Sequence, residues 1–327
     1  MNLYIDKENI ISLIKSKKND LYGDVIRMTK KQLNVYFNFP KKDVKENSIL
    51  QLWFTEFTEG VGSESKLCFE ANFPVAPIKS NSYKQFTKEQ LKSVYLLSDP
   101  DTSKMKNTGT LLVGVVGEEI DILNSLFLKN EDYSFESKWQ IGDTHFQRWE
   151  DIQDYSLPLS DILIVDNYAI KLKAEANAIN LIEINLIKYI SILCNKSKDK
   201  VHLVIFTKNW QDNIEFQTLN EKIKQELECV TGKKPFLTLI HTSKEHDRTI
   251  LTNYKRIISG DSFNYWNSQG RKITRGRLLE YSSLAKREND HLSNVMIDDL
   301  QKVVDNLQQN NPDHIIGDKK SNFLNFE

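Results

Sequence analysis

The sequence contains few cysteines, no long apolar run and no excess of charge of either sign. Only 3 of its 327 residues are cysteines, and Cys68, Cys194 and Cys229 lie far apart with no CxxC pair. This pattern excludes a disulfide framework and a cysteine zinc site, and it is typical of reduced thiols in the cytosol. No apolar stretch reaches the length of a membrane span, and the first residues lack a signal-peptide pattern. We therefore expect a soluble cytoplasmic protein without a membrane span.

The charge balance is almost neutral, because 44 lysines and arginines are matched by 45 aspartates and glutamates. This balance argues against a chain-wide nucleic-acid-binding surface, although it allows a local basic patch. The length is enough for two domains, or for one large one, with a sizeable core. The abundance of lysine, asparagine and isoleucine is typical of an AT-rich, bacterial genome.

Apolar segments separated by turn residues fill the first part of the chain. A short amphipathic helix with an aspartate cap is expected at residues 6–17. In the apolar run at residues 49–57, we expect Leu52 and Phe54 to face the core and Trp53 to face the other side. Three strands in a meander are predicted from runs rich in β-branched and aromatic residues at 25–39, 49–57 and 67–73.

Two further signals in this part mark the starts of helices. Thr87 and Gln90 have the spacing of a capping box, which predicts a helix from there to about residue 97. The sequence Gly-Val-Val-Gly at 114–117 lacks both the Lys-Ser/Thr of a Walker loop and the GxGxxG spacing. We therefore predict a tight turn between a strand and a helix there, and not a nucleotide-binding loop.

The second part alternates strands with helices. Strands are predicted at 161–168, 201–206 and 236–240, with helices at 173–194 and 213–230 and a long helix within 278–308. This order predicts an α/β layered sheet with right-handed crossovers. We place a β-rich α+β domain at 1–148, the α/β domain at 149–309 and a C-terminal tail at 310–327.

A cluster of His, Arg, Asn, Gly and Ser follows the last of these strands. His246 and Arg248 are two residues apart, so on a strand they share one face and form an anion site. A second strand is expected at 254–259, and Gly260 after it permits a tight turn or a close approach to a ligand. The predicted site also includes Asn253, Ser262 and Asn264.

This arrangement resembles the phospholipase D superfamily motif, HxKx4Dx6G followed by Ser or Gly and a nearby Asn. His246, Gly260 and Asn264 match it, whereas Arg248 replaces its Lys and Asn253 replaces its Asp. The resemblance implies a phospholipase D-like layered sheet with flanking helices, and a histidine that attacks a phosphodiester when two motifs meet. Arg248 retains the ability to clamp phosphate oxygens, but the amide of Asn253 supplies no negative charge to support an imidazolium.

Two more groups are candidates for the same site. Asp166 ends a predicted strand, and ligands of α/β sheets bind at the carboxyl ends of strands, so its carboxylate is expected in the same cleft. The densest basic cluster lies near Tyr265 and Trp266, and positive charge beside aromatic rings suits a nucleic-acid backbone. The plainer interpretations are that Asp166 caps a loop and that the cluster is a solvated helix start. The cluster comprises Arg271, Lys272, Arg275 and Arg277.

Three functions are open from the sequence. The first is a degenerate, non-catalytic phospholipase D-like module that binds phosphate groups of nucleic acid or of a phosphorylated partner. The second is an active, metal-independent phosphodiesterase or nuclease, in which a homodimer brings two copies of His246 together. The third is a structural subunit of a larger assembly. No histidine has ligand spacing, so neither a metal nor a cofactor is expected, and an antiviral role in a bacterium would fit all three functions.

Overall fold

The computed structural model describes residues 1–16, 31–58, 65–74, 86–98, 109–115, 117–126, 135–140, 146–170, 181–208, 213–242, 248–267, 269–273 and 278–326. The chain divides into two compact units, Met1–Phe135 with Ser283–His291 and Glu136–Ser282 with Leu292–Glu327. The architecture is mixed α/β with two sheets. The structure thus differs from the predicted boundaries, since the first division falls after residue 135 instead of 148.

The first unit contains a five-stranded sheet in the order β3-β2-β1-β4-β5. All of its neighbouring strands are parallel. Because parallel neighbours need crossover connections instead of hairpins, the predicted meander is wrong, and the unit is an α/β layer instead of a β-rich α+β domain. Its strands are β1 (Asn2–Ile5), β2 (Asn34–Phe37), β3 (Leu67–Cys68), β4 (Val94–Leu96) and β5 (Leu112–Gly114). Its helices are α1 (Lys7–Lys15), α2 (Lys41–Glu46), α3 (Ser48–Thr58), α4 (Lys88–Leu91) and α5 (Glu119–Leu126).

The middle run of the predicted meander is the helix α3. Its buried residues are Leu50, Trp53 and Phe57, whose spacing of three and four residues follows the helical period. Leu52 is 44% exposed, so the expected orientations of Leu52 and Trp53 are reversed. The aromatic content of the run favours a strand on propensity, but the positions of its apolar residues favour a helix.

The predicted helix starts in this unit are confirmed, although one helix is shorter than expected. Asp6 caps α1 by accepting a hydrogen bond from Asn9 N at 2.9 Å. The capping box of Thr87 and Gln90 is present, but α4 ends at residue 91 and the strand β4 begins three residues later. Gly117 has a φ of +95°, a conformation that favours glycine, and lies in the predicted tight turn between β5 and α5.

The second unit contains an eight-stranded mixed sheet in the order β13-β9-β8-β7-β10-β11-β12-β6. β7, β8 and β9 are parallel neighbours, and β10 lies antiparallel to β7. The predicted alternation of strands and helices is therefore confirmed around β7, β8 and β9. The strands are β6 (Glu136–Gln140), β7 (Asp161–Val165), β8 (His202–Thr207), β9 (Phe236–His241), β10 (Thr249–Thr252), β11 (Lys255–Ser259), β12 (Leu278–Ser283) and β13 (Ile315–Gly317).

Helical segments connect these strands. The helix between β8 and β9, α7 (Asn213–Thr231), ends where predicted, because Gly232 follows it with a φ of +73°. The expected long helix is α8 (Arg287–Asn310), but residues 278–283 before it form β12, in which buried Leu279 and Tyr281 alternate with partly exposed Leu278 and Glu280. None of the described helices is both long and apolar enough to cross a membrane. The segments are the 3-10 helices Trp149–Tyr155, Cys194–Lys196 and Pro312–His314, the π-helix Glu183–Ile187, α6 (Lys188–Leu193), α7 (Asn213–Thr231) and α8 (Arg287–Asn310).

The residues predicted as a C-terminal tail belong to the sheet. β13 pairs antiparallel with β9 at its edge. Asp318 accepts a hydrogen bond from Leu237 N at 2.8 Å and forms an ion pair of 3.0 Å with Lys224. Phe323 and Leu324 are buried. Strand pairing, an ion pair and apolar burial therefore fix this segment on the second unit.

Candidate functional site

Neighbouring strands of the second sheet bring polar side chains to one edge. β7, β8 and β9 are parallel, so their carboxyl ends share this edge, and the antiparallel β10 starts there. The register pairs Val165 of β7 with Thr249 of β10. The next residues outward are Asp166 and Arg248, which therefore lie at the same level on adjacent strands.

The Arg248 side chain lies at this edge and is 33% exposed. Its Nη1 donates a hydrogen bond to the Gly260 carbonyl at 3.2 Å, and its Nη2 is 3.8 Å from Asp261 Oδ1. A guanidinium carries five N–H donors, so these contacts leave donors for a ligand. Because the group is planar, it can bind two oxygens of one anion at the same time.

Asp166 is buried beside Arg248 and organises the loop after β11. Its Oδ2 accepts hydrogen bonds from Ser262 Oγ at 2.6 Å and Phe263 N at 2.9 Å, and its Oδ1 accepts one from Tyr168 N at 2.9 Å. Burial raises the pKa of Asp166 above its ordinary value, although these hydrogen bonds and the charge of Arg248 act to lower it. The structure thus brings together the carboxylate and the guanidinium that the sequence assigns to one cleft.

Ser262 and Asn264 also lie at this edge, but their polar groups are engaged within the protein. Ser262 donates to Asp166, and Asn264 Nδ2 donates to the Tyr168 carbonyl at 2.7 Å and to Ser262 Oγ at 3.2 Å. These bonds fix the shape of the loop. The two side chains therefore position the edge, and Arg248 is the predicted residue that offers donors to a ligand.

Gly260 contributes its backbone to this loop. Its N–H donates to the Leu278 carbonyl at 3.1 Å, and its own carbonyl accepts the bond from Arg248. Its φ is not in the positive range, and a Cβ would meet the Leu278 carbonyl no closer than 3.9 Å. Within the protein, therefore, neither a positive φ nor a close contact requires glycine at this position, and a close approach to a ligand stays a prediction.

The structure does not bring Asn253 to this edge. Asn253 lies between β10 and β11, at the opposite end of β10 from Arg248, and is fully buried. Its Oδ1 accepts hydrogen bonds from Ser160 N at 2.8 Å and Asp161 N at 3.3 Å, and its Nδ2 donates to Ser160 Oγ at 3.0 Å. This position argues against the predicted catalytic role. Because the residue lies away from the edge, the replacement of the motif's Asp by Asn253 does not change the charge of the edge.

The other predicted site residues fall into two groups. Arg271 and Lys272 are exposed and lie on a hairpin, which is closed by a bridge between Trp266 and Lys272 and by a hydrogen bond from Asn267 N to the Arg271 carbonyl at 2.8 Å. These two residues therefore lie in a hairpin and not at a helix start. Outside the described residues lie His246, Arg275 and Arg277.

A pair of histidines at the same edge was not predicted from the sequence. His241 ends β9 and pairs in register with Thr207 at the end of β8. Its ring stacks on His314, with the centroids 4.5 Å apart. Burial lowers the pKa of His241, and the charges of His314 and Lys208 add to this effect. The sequence feature that could have predicted His241 at this edge is its position at the end of an apolar strand core. The same feature predicted Asp166 there.

Neither a metal cluster nor a match to a known family identifies the ligand of this edge. Among the described residues, no group of three His, Cys, Asp or Glu side chains is arranged to hold a metal ion. No family model matches the sequence, and no curated protein matches it. The ligand class must therefore be argued from the side chains themselves.

Proposed function

We propose that the carboxyl edge of the second sheet binds a phosphate group, of a nucleic acid or of a phosphorylated partner, without cleaving it. The geometry of Arg248 carries this proposal, because its guanidinium is partly exposed and is held in place by the Gly260 carbonyl. A planar guanidinium binds phosphate or carboxylate at two points. The resemblance to the phospholipase D motif favours phosphate over carboxylate.

The charges along the edge support the same assignment. Lys208 is exposed after β8, His241 ends the neighbouring strand β9, and His314 directly precedes β13. The Asp261 carboxylate, 3.8 Å from Arg248 Nη2, opposes an anion at this position, whereas burial raises the pKa of Asp166, which disfavours the ionised form of Asp166. An anion at Arg248 therefore competes with Asp261 for the guanidinium.

Binding without cleavage is inferred from departures within the motif. The sequence carries one such motif, with Arg248 in place of the family's Lys. Arginine binds phosphate oxygens but does not release its proton, since its pKa is above about 12. Ser262 and Asn264 already donate hydrogen bonds inside the protein. These features suit a residue set that holds a phosphate more than one that transfers protons.

Salt-dependent binding tests this proposal. A labelled single-stranded oligonucleotide is titrated in EDTA at several salt concentrations and followed by fluorescence anisotropy. Arg248→Gln is expected to weaken binding about tenfold and to lower the slope of log Kd against log salt by about one, because one phosphate contact is lost. Lys302→Gln removes an exposed charge from the same unit and should have no effect. Equal behaviour of the two variants would reject Arg248 as the phosphate contact.

Two further arms separate the alternatives. The same mixtures are resolved on denaturing gels, where cleavage in EDTA that disappears in His246→Ala would replace the binding function with a phosphodiesterase. A phosphoserine peptide is titrated as a competitor of the oligonucleotide. Stronger binding of the peptide would identify a phosphorylated protein as the natural ligand.

A further inference from the structure

Four adjacent strands of the second sheet place residues at one level of its carboxyl edge. The strands β10, β7, β8 and β9 are neighbours in this order. Their register puts Arg248, Asp166, Thr207 and His241 on the same level, one residue from each strand. Because neighbouring strands are about 4.8 Å apart, this row is about 14 Å long. The edge is therefore longer than a single phosphate group.

Two cationic side chains belong to this row. Arg248 is at one end, and the exposed Lys208 follows Thr207 two strands away. The backbones that carry them are thus about 10 Å apart. Phosphates follow one another about every 3.4 Å along each strand of a duplex, so two cations at this spacing can contact different phosphates of one chain. A ligand with several phosphates in succession matches this arrangement.

The negative charge that opposes an anion lies on the other side of Arg248. Asp261 follows β11, and β11 neighbours β10 on the side away from β7. Asp166 lies within the row, but it is buried and accepts hydrogen bonds from Ser262, Phe263 and Tyr168. A polyanion that binds Arg248 is therefore expected to extend towards Lys208 and away from Asp261.

An exposed aromatic residue lies at the same edge, in the loop after β7. Tyr168 is 40% exposed. Its N–H donates a hydrogen bond to Asp166 Oδ1 at 2.9 Å, and its carbonyl accepts one from Asn264 Nδ2 at 2.7 Å. A third bond, from Ala169 N to the Asp166 carbonyl at 3.1 Å, closes the turn around it. The backbone that carries the ring is therefore fixed, while the side chain is accessible to a ligand.

Tyr168 is within reach of a ligand bound by either cation. It is two residues from Asp166, which is at most about 7 Å of extended chain. Asp166 ends β7, and β7 lies between the strands that lead to Arg248 and Lys208. A ligand that carries flat rings along a chain of phosphates can thus contact the cations and the tyrosine together. Nucleic acids have this combination, and aromatic side chains beside a basic track are typical of sites that bind single strands.

We propose that a single-stranded nucleic acid crosses this edge, with phosphates at Arg248 and Lys208 and one base stacked on Tyr168. The phosphate contact of Arg248 rests on the proposed function, whereas the contacts of Lys208 and Tyr168 go beyond it. The bases of a duplex are already stacked on one another, so only an unpaired strand offers a base face to the ring. Because every base has such a face, binding should depend little on sequence.

Base-bearing and abasic strands of equal length separate the stacking contact from the phosphate contacts. Both are labelled and titrated with the full chain by fluorescence anisotropy, in EDTA and at several salt concentrations. Tyr168→Leu removes the ring but keeps an apolar side chain, and Tyr168→Phe is the matched variant that keeps the ring. Lys208→Gln removes the second cation, and the exposed Lys302→Gln is its control.

We expect Tyr168→Leu to weaken binding of the base-bearing strand about tenfold, because one stacking contact is lost. Tyr168→Phe should rescue this loss. Binding of the abasic strand should not respond to Tyr168→Leu, which also shows that the variant is folded. Lys208→Gln should weaken binding of both strands several-fold and lower the slope of log Kd against log salt by about one. A duplex of the same sequence should not respond to Tyr168→Leu.

The outcomes distinguish this inference from the proposed function. The stacking contact is overturned if Tyr168→Leu binds the base-bearing strand as tightly as the wild type, or if it weakens both strands equally. If both strands then still depend on Arg248, the proposed function stands. Loss of binding in Tyr168→Leu without any effect of Arg248→Gln would retain the stacking contact and overturn the phosphate site. A phosphoserine peptide that binds more tightly than either strand and ignores Lys208→Gln would overturn the assignment to a single strand.

Discussion

The Asp166 carboxylate accepts a hydrogen bond of 2.6 Å from the Ser262 hydroxyl, across 96 residues of sequence. A second bond, from Phe263 N at 2.9 Å, reaches the same oxygen. Together they tie the end of β7 to the loop whose Gly260 carbonyl holds the Arg248 guanidinium. The position of the guanidinium thus depends on a buried carboxylate, and Asp166 is a positioning residue of the proposed site.

Asp166→Ala should both destabilise the protein and weaken phosphate binding. The substitution leaves the donors of Ser262 and Phe263 without an acceptor, so we expect a loss of about 2 kcal/mol in the free energy of unfolding. Urea denaturation measures that loss, and anisotropy measures oligonucleotide binding. Asp166→Asn keeps one acceptor oxygen and should restore part of both. Unchanged binding by Asp166→Ala would contradict the positioning role.

In contrast to Asp166→Ala, Asn253→Ala should lower stability without changing oligonucleotide binding. It removes the acceptor of Ser160 N and Asp161 N, so the free energy of unfolding is expected to fall by about 2 kcal/mol. Oligonucleotide affinity should not change, because Asn253 lies at the far end of β10. The matched variant Asn253→Asp restores the residue of the phospholipase D motif and should produce no cleavage in EDTA. Cleavage by this variant would show that Asn253 acts on the site.

The local pattern of apolar residues is sufficient to predict the central strands of the second unit. β7 consists of five buried residues, and β8 and β9 are nearly as buried, so continuous apolar runs identify strands that are covered on both faces. The rule that strand ends share an edge then placed Asp166 near Arg248. Asn253 could not be placed in this way, because motif spacing does not reveal at which end of a strand a residue lies.

The first unit was harder to predict because its strands are short. β3 has two residues and β4 and β5 have three each, too few for a periodic pattern. The helix α3 is rich in aromatic residues, and only the spacing of Leu50, Trp53 and Phe57 distinguishes it from a strand. His314 illustrates a further limit, since its contact with His241 depends on the pairing of β13 with β9.

Lys255 is a buried lysine at the start of β11. Its Nζ donates a hydrogen bond to the Tyr155 carbonyl and lies 5.6 Å from the centroid of the Tyr281 ring. Burial, assisted by the charge of Lys196, lowers the pKa of Lys255 to about 7. The pKa of an unfolded lysine is near 10.4, so the folded protein binds this proton less tightly than the unfolded chain does.

This difference predicts a pH dependence of stability on the alkaline side. Because the pKa of Lys255 is lower in the folded state, the contribution of this residue to stability is fully present above about pH 10.4 and is lost as the pH falls through about 7. The free energy of unfolding should therefore rise between these values, and Lys255→Met should flatten the rise. Urea denaturation at several pH values measures the slope. The exposed Lys302→Met serves as control, and equal slopes in the two variants would contradict the prediction.

His241 should make phosphate binding stronger in acid. Burial lowers the pKa of His241 below its ordinary value of 6.5, so the ring is mostly uncharged at neutral pH and gains a positive charge as the pH falls. Oligonucleotide affinity is expected to increase several-fold between about pH 7 and about pH 5.5 at constant ionic strength. His241→Gln should remove most of this increase, whereas the exposed His291→Gln should retain it. A flat wild-type profile, or an unchanged profile in His241→Gln, would exclude His241 from the phosphate site.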